Sequence, residues 1–89
     1  MKHFLNFIGG EFVATSKTFD NRAPADNRLL GRVHEAGAAE VDAAVRAARA
    51  ALQGEWGRMS VGRRIGLLHA VADEINRRFD DFLQAEMAD

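Results

Sequence analysis

The sequence has no cysteine and no tyrosine, one proline and one tryptophan in 89 residues. Without cysteine there is no disulfide to staple a thin core, no thiolate nucleophile and no thiolate metal ligand. A formal net charge of −1 lacks the basic excess from which nucleic-acid binders draw much of their affinity, so a nucleic-acid partner is not expected. Long apolar runs are also missing. None approaches the ~20 residues that span a bilayer, and Met1-Lys2-His3-Phe4 opens no signal-peptide core. What remains is ordinary globular material, 47% hydrophobic and 28% charged, in a chain short enough for one domain at most. Disorder would need lower hydrophobicity or a larger net charge. The reading is a soluble, cytoplasmic chain with no membrane partner.

The pattern changes near residue 37. Residues 1–36 predict short strands. Leu5-Asn6-Phe7-Ile8 and Glu11-Phe12-Val13 flank Gly9-Gly10, and glycine supplies the positive φ of a two-residue hairpin turn. Thr15-Ser16-Lys17 makes a second connection. Thr18 to Arg22 is extended, Pro24-Ala25-Asp26-Asn27 is a turn by composition, and Leu29 to His34 returns as a strand. This predicts a small antiparallel β-meander, too thin to stand without a helix or another sheet on one face.

Residues 37–54 predict a helix, with Val41, Ala44, Val45, Ala48 and Leu52 on one face and Gly54 as its stop. Glu55 to Met59 reads as a linker in which Trp56 plugs the gap between helices. Ser60 is a candidate N-cap. Residues 60–89 predict one helix or two along the stripe Ile65, Leu68, Ala72, Ile75, Phe79 and Phe82, with Asp80-Asp81 marking the break. The expected class is α+β, a meander followed by two or three amphipathic helices. The last turn, Glu86-Met87-Ala88-Asp89, carries no Gly, Asn or Pro to close it. The expectation is therefore the leading segment of a longer protein, not a complete domain.

Candidate chemistry is sparse. His3, His34 and His69 have no second ligand at metal spacing, so each reads as a structural or exposed histidine. Gly9-Gly10 precedes no helix and is no phosphate loop. Asp73-Glu74 and Asp80-Asp81 are adjacent on helices and point apart, so they form no carboxylate dyad. Arg63-Arg64 and Arg77-Arg78 read as solvated, with Asp73 placed to pair with Arg77. Ser60 is a cap rather than a nucleophile. No catalytic, coenzyme-binding or metal residue is assigned.

The ordered set of segments resembles the N-terminus of the NAD(P)-dependent aldehyde dehydrogenase superfamily. The matching pieces are Phe7-Ile8-Gly9-Gly10-Glu11-Phe12-Val13, then Thr18-Phe19 leading to Ala23-Pro24-Ala25, then Leu30-Gly31-Arg32-Val33. Glu40 through Arg49 follows, then Trp56 with Met59, then Arg64-Ile65-Gly66-Leu67-Leu68 through Ala72-Asp73-Glu74-Ile75. The family's Asn-Gly turn is Gly9-Gly10 here, its Asn-Pro is Ala23-Pro24, and its following Thr-Gly is Asp26-Asn27. These departures fall in turns. Arg32-Val33-His34-Glu35-Ala36-Gly37 with Glu40 to Val45 looks most like the 2-hydroxymuconic semialdehyde dehydrogenases of aromatic meta-cleavage, with the 2-aminomuconic enzymes as nearest rivals.

The resemblance implies an NAD-dependent oxidation of an aldehyde to a carboxylic acid. It also implies a catalytic cysteine, a general-base glutamate, an oxyanion-hole asparagine and a coenzyme site, all downstream of these residues. It implies the remainder of the chain and a homo-oligomer as partners, and a small aldehyde as substrate. In some members a carbonyl before the Asn-Pro turn helps hold a monovalent cation; the matching positions are Asn21 and Arg22. The rival from another class is a free-standing interaction module that dimerises through the Ile65–Phe82 stripe.

Overall fold

A computed structural model describes residues 1–89. The chain forms two compact units, Met1–Ala50 and Ala51–Ala88. The first holds five short strands and most of a helix: β1 (His3–Phe4), β2 (Asn6–Ile8), β3 (Glu11–Val13), β4 (Thr18–Arg22), β5 (Leu29–His34) and α1 (Ala38–Gln53). The second holds α2 (Glu55–Arg58), α3 (Val61–Arg77) and α4 (Phe79–Ala88). The α+β class expected from sequence is the class observed.

The strands do not form one continuous antiparallel meander. β2 and β3 pair as an isolated antiparallel hairpin, with Phe7 opposite Phe12. Gly9 and Gly10 take φ of 60° and 84°, the two positive values that match a hairpin turn to strand twist. A separate three-stranded sheet has the order β1-β5-β4. There β4 and β5 are antiparallel, whereas β1 lies parallel to β5, His3 opposite Arg32 and Phe4 opposite Val33. The parallel pair requires a long crossover, and the hairpin is part of the chain that makes it.

Local chemistry fixes the β4–β5 connection. The Ala23 N–H donates to the Arg28 carbonyl at 2.9 Å, and the Asn27 N–H to the Ala23 carbonyl at 2.8 Å. Asn27 takes φ of 63°, a left-handed conformation that asparagine tolerates better than most side chains. The Asp26 carboxylate accepts from the Arg28 N–H at 3.1 Å and from the Arg28 guanidinium at 3.0 Å. Across the strands Asp20 faces Arg32 and bonds it at 3.4 Å, a directly opposed charge pair of the kind that favours one register. The ladder shifts between Asn21 and Arg22.

Gly31 explains how β1 reaches the sheet. A Cβ there would lie 2.7 Å from the Lys2 carbonyl oxygen and 2.7 Å from the Phe4 ring. The Arg32 N–H donates to that same Lys2 carbonyl at 2.9 Å. Close backbone approach at this position therefore needs glycine.

In the second unit Ser60 caps α3: its hydroxyl accepts from the Arg63 N–H at 3.2 Å, satisfying one of the four free donors of the first turn. The continuous stripe is carried by two helices. The backbone leaves helical geometry at Arg78, φ −105° and ψ 28°, and α4 begins at Phe79 with Asp80 and Asp81 in its first turn, where acids complement the helix dipole. The segment expected as a linker instead closes a helical turn, α2, with Glu55 at its start and Arg58 at its end, again the favourable polarity.

Candidate functional site

The chemistry-bearing side chains are mostly occupied with one another. Arg77 bonds Glu74, one contact being 2.9 Å from Nε, and not Asp73. The partner is three residues away rather than four, which is equally a neighbour on a helix face. Arg77 holds the Glu74 carboxyl below its ordinary range. Arg78 reaches Asp81 at 3.4 Å and Arg46 reaches Asp42 at 3.0 Å. The backbone N–H of Arg28, then its guanidinium, lowers the Asp26 carboxyl in the same way. These are exposed structural pairs, each worth little.

Trp56 is not the buried plug expected of it. It is 40% exposed, with the Arg64 guanidinium 5.9 Å from its ring centre, within cation–π range. A hollow of about 410 Å³ at the α3–α4 break is lined by Asn76, Arg77, Arg78, Phe79, Asp80 and Asp81, but its arginines are already paired. A second, of about 300 Å³, lies beside Ile65, Leu68 and His69 and is part of the apolar stripe.

Neither Gly9-Gly10 nor the start of α3 offers a cradle for the phosphates of a nicotinamide coenzyme. Its phosphates need N–H groups at a helix start, commonly behind a glycine-rich turn. Gly9-Gly10 joins two strands, and the start of α3 is taken by Ser60. Asn21 and Arg22, the positions matched to a monovalent-cation carbonyl, lie in β4 on either side of the register shift.

The structure brings together one pair that sequence spacing missed. His3 Nδ1 and His34 Nε2 are 3.1 Å apart. Thirty-one positions separate them in sequence, and only the parallel β1–β5 pairing makes them neighbours.

The dominant surface feature is apolar. Ala23, at 2% exposure, is the sole buried hydrophobic residue. Along α3 and α4, Ile65, Leu68, Val71, Phe79, Phe82 and Met87 are each at least half exposed. The chain exposes 7193 Å². A compact monomer of 9.8 kDa exposes about 5,200 Å², and two separate compact bodies of half that mass about 6,200 Å². Even on the looser comparison some 1,000 Å² of surface is in excess. The apolar stripe of α3 and α4 is thus left exposed.

Comparison with known proteins identifies the family of the chain. Residues 12–89 match the profile of the aldehyde dehydrogenase family, and the chain belongs to that family. It is 60% identical over 89 residues to a 2-hydroxymuconic semialdehyde dehydrogenase of Pseudomonas putida, covering 98% of this chain and 18% of that protein. A second 2-hydroxymuconic semialdehyde dehydrogenase, from Pseudomonas sp. (strain CF600), is 57% identical over 91 residues, covering 100% of this chain and 19% of that protein. A 2-aminomuconic 6-semialdehyde dehydrogenase of Pseudomonas sp. is 48% identical over 89 residues, covering 100% of this chain and 18% of that protein. The chain spans less than a fifth of the length of these curated relatives.

Proposed function

We propose that residues 1–89 are the N-terminal segment of an NAD-dependent aldehyde dehydrogenase that oxidises 2-hydroxymuconic semialdehyde to the corresponding carboxylic acid. The observation that carries this is the exposed apolar face of α3 and α4, taken with identity that falls from 60% for the hydroxymuconic relative to 48% for the aminomuconic one. Without cysteine, the segment cannot supply the thiolate that such an enzyme adds to the aldehyde carbon. NAD, held by chain outside these residues, would accept the hydride. The segment's own task is to fold and to present its helices to the rest of the enzyme. A cytoplasmic location and a homo-oligomeric whole enzyme belong to the same reading.

The test is NADH formation from 2-hydroxymuconic semialdehyde. Purified residues 1–89 should give none. The protein expressed from the reading frame extended through a catalytic cysteine should turn the substrate over, with lower kcat/KM for 2-aminomuconic semialdehyde. Turnover by residues 1–89 alone, or inactivity of the extended protein, overturns the proposal.

The same exposed stripe supports a second reading, a free-standing module that dimerises along Ile65–Phe82. A cooperative unfolding transition whose midpoint rises with the concentration of residues 1–89 would favour it. An aggregating or partly folded species would count against it.

A further inference from the structure

We propose that His3 and His34 form a two-histidine chelate for a divalent transition-metal ion of the nickel, copper and zinc class, fastening β1 to β5. This does not depend on the dehydrogenase reading, since neither residue belongs to the chemistry proposed above.

The topology supplies the pair. β1 runs parallel to β5 with His3 opposite Arg32, so His34 stands two residues further along the same strand and on the same face. Their facing nitrogens, His3 Nδ1 and His34 Nε2, are 3.1 Å apart. Two imidazole nitrogens each at about 2.05 Å from one metal ion and separated by that distance subtend an angle of about 98° at the ion. That lies between the square or octahedral right angle and the tetrahedral value. The separation of the nitrogens, but not yet the orientation of the rings, matches adjacent ligand positions. The ring planes are inclined at 57°. Both rings must pivot so that the two lone pairs converge, and His3 is free to do so because it is exposed on a two-residue strand.

The second nitrogen of His34 is also provided for. Its Nδ1 lies 3.1 Å from the Thr15 carbonyl oxygen and 2.9 Å from the Thr15 N–H. The Thr15 N–H donates to Nδ1, which leaves the His34 proton on Nε2, shared with His3; binding an ion at Nε2 requires the other tautomer, in which Nδ1–H donates to the Thr15 carbonyl. A backbone carbonyl holding the distal N–H is the usual support for a metal-bound histidine: it fixes the tautomer and raises the ring's basicity. The Asn6 side-chain amide donates to the His34 carbonyl at 3.4 Å, which ties the strand at this residue.

The ligand chemistry sets the class of ion. Two imidazoles suit nickel, copper and zinc, whereas calcium and magnesium demand oxygen donors. No third histidine, aspartate or glutamate joins the pair, so water completes the coordination. The ion would close the loop between His3 and His34, replacing the single hydrogen bond that now joins the two rings.

The test is titration of the protein, without any affinity tag and in its full expressed length, with nickel chloride and zinc chloride. It is read by calorimetry and by the imidazole NMR resonances. The expected result is saturable binding of one ion. His3→Ala and His34→Ala should each weaken it by at least about tenfold, the loss typical of even an outer-shell partner, while His69→Ala leaves it unchanged. Zinc should move the His3 and His34 resonances and not those of His69. A second variant, Gly31→Val, keeps both imidazoles but drives β1 away from β5, and should weaken binding comparably. Equal affinity in His3→Ala or His34→Ala, equal affinity in a Gly31→Val protein whose Arg32 amide has lost protection, or the absence of a saturable site, overturns the proposal.

Discussion

Ser60 and Asp26 show how much single side chains hold in a chain with little core. Ser60 satisfies a donor at the start of α3. Ser60→Ala should lower stability by about 1 kcal/mol, and Ser60→Asp should recover most of it; urea denaturation measures both. Asp26 acts on the turn between β4 and β5. The Arg28 backbone N–H, and then its guanidinium, lowers its pKa from the ordinary 3.8. A depressed carboxylate stabilises the fold above its unfolded pKa, and that contribution is lost as pH falls from the ordinary value through the folded one. The Arg28 amide resonance should therefore titrate below pH 3.8 and cease to do so in Asp26→Asn. The effect on global stability should be slight, because the group is exposed to solvent screening. Both features were legible in sequence as a cap and a turn. The pairing of His3 with His34 was not, since no local spacing encodes it.

At the scale of the element, what could be read from sequence was whatever is local. The β2–β3 hairpin announces itself because Gly9-Gly10 separates two apolar runs. The helices announce themselves because Val41 to Leu52 and Ile65 to Phe82 repeat with helical period. The break at Arg78 showed only as the acids Asp80 and Asp81. β1 left no such mark. It is two residues long, and its partner is a parallel strand reached after the whole hairpin and β4. The one sequence clue to it is Gly31, whose missing Cβ admits the Lys2 carbonyl. Gly31→Val should detach β1 while β4 and β5 remain paired. Amide exchange should then show Arg32, whose N–H bonds Lys2, losing protection, while the β4–β5 ladder keeps it. Retained protection at Arg32 would mean that the neighbouring backbone accommodates the side chain.

For the whole molecule, the energetics of the exposed stripe matter most. Ile65 and Leu68 are 51% and 61% exposed, and burying such a side chain is worth about 1.5–3 kcal/mol. If the stripe is a packing face, Leu68→Asp should change the helicity of residues 1–89 only slightly. In the extended enzyme the same substitution should cost several-fold in soluble, active yield, because it places a charge where an apolar contact belongs. Circular dichroism of the segment and specific activity of the enzyme separate the two effects. The amphipathic pattern revealed that such a face exists. What partner it would take was not legible in composition or periodicity; the only pointer was the ordered resemblance to aldehyde dehydrogenases.

The parallel placement of β1 has a consequence for how the chain acquires its structure. His3 and Phe4 are synthesised before β5 exists, and the ladder they join requires Leu29–His34 to be extended first. The antiparallel β4–β5 pair closes a short loop, whereas β1 must wait for a contact separated by about thirty residues, and such non-local pairings form late. A strand made early is thus seated late, and throughout that interval its backbone groups are open to any other extended segment nearby.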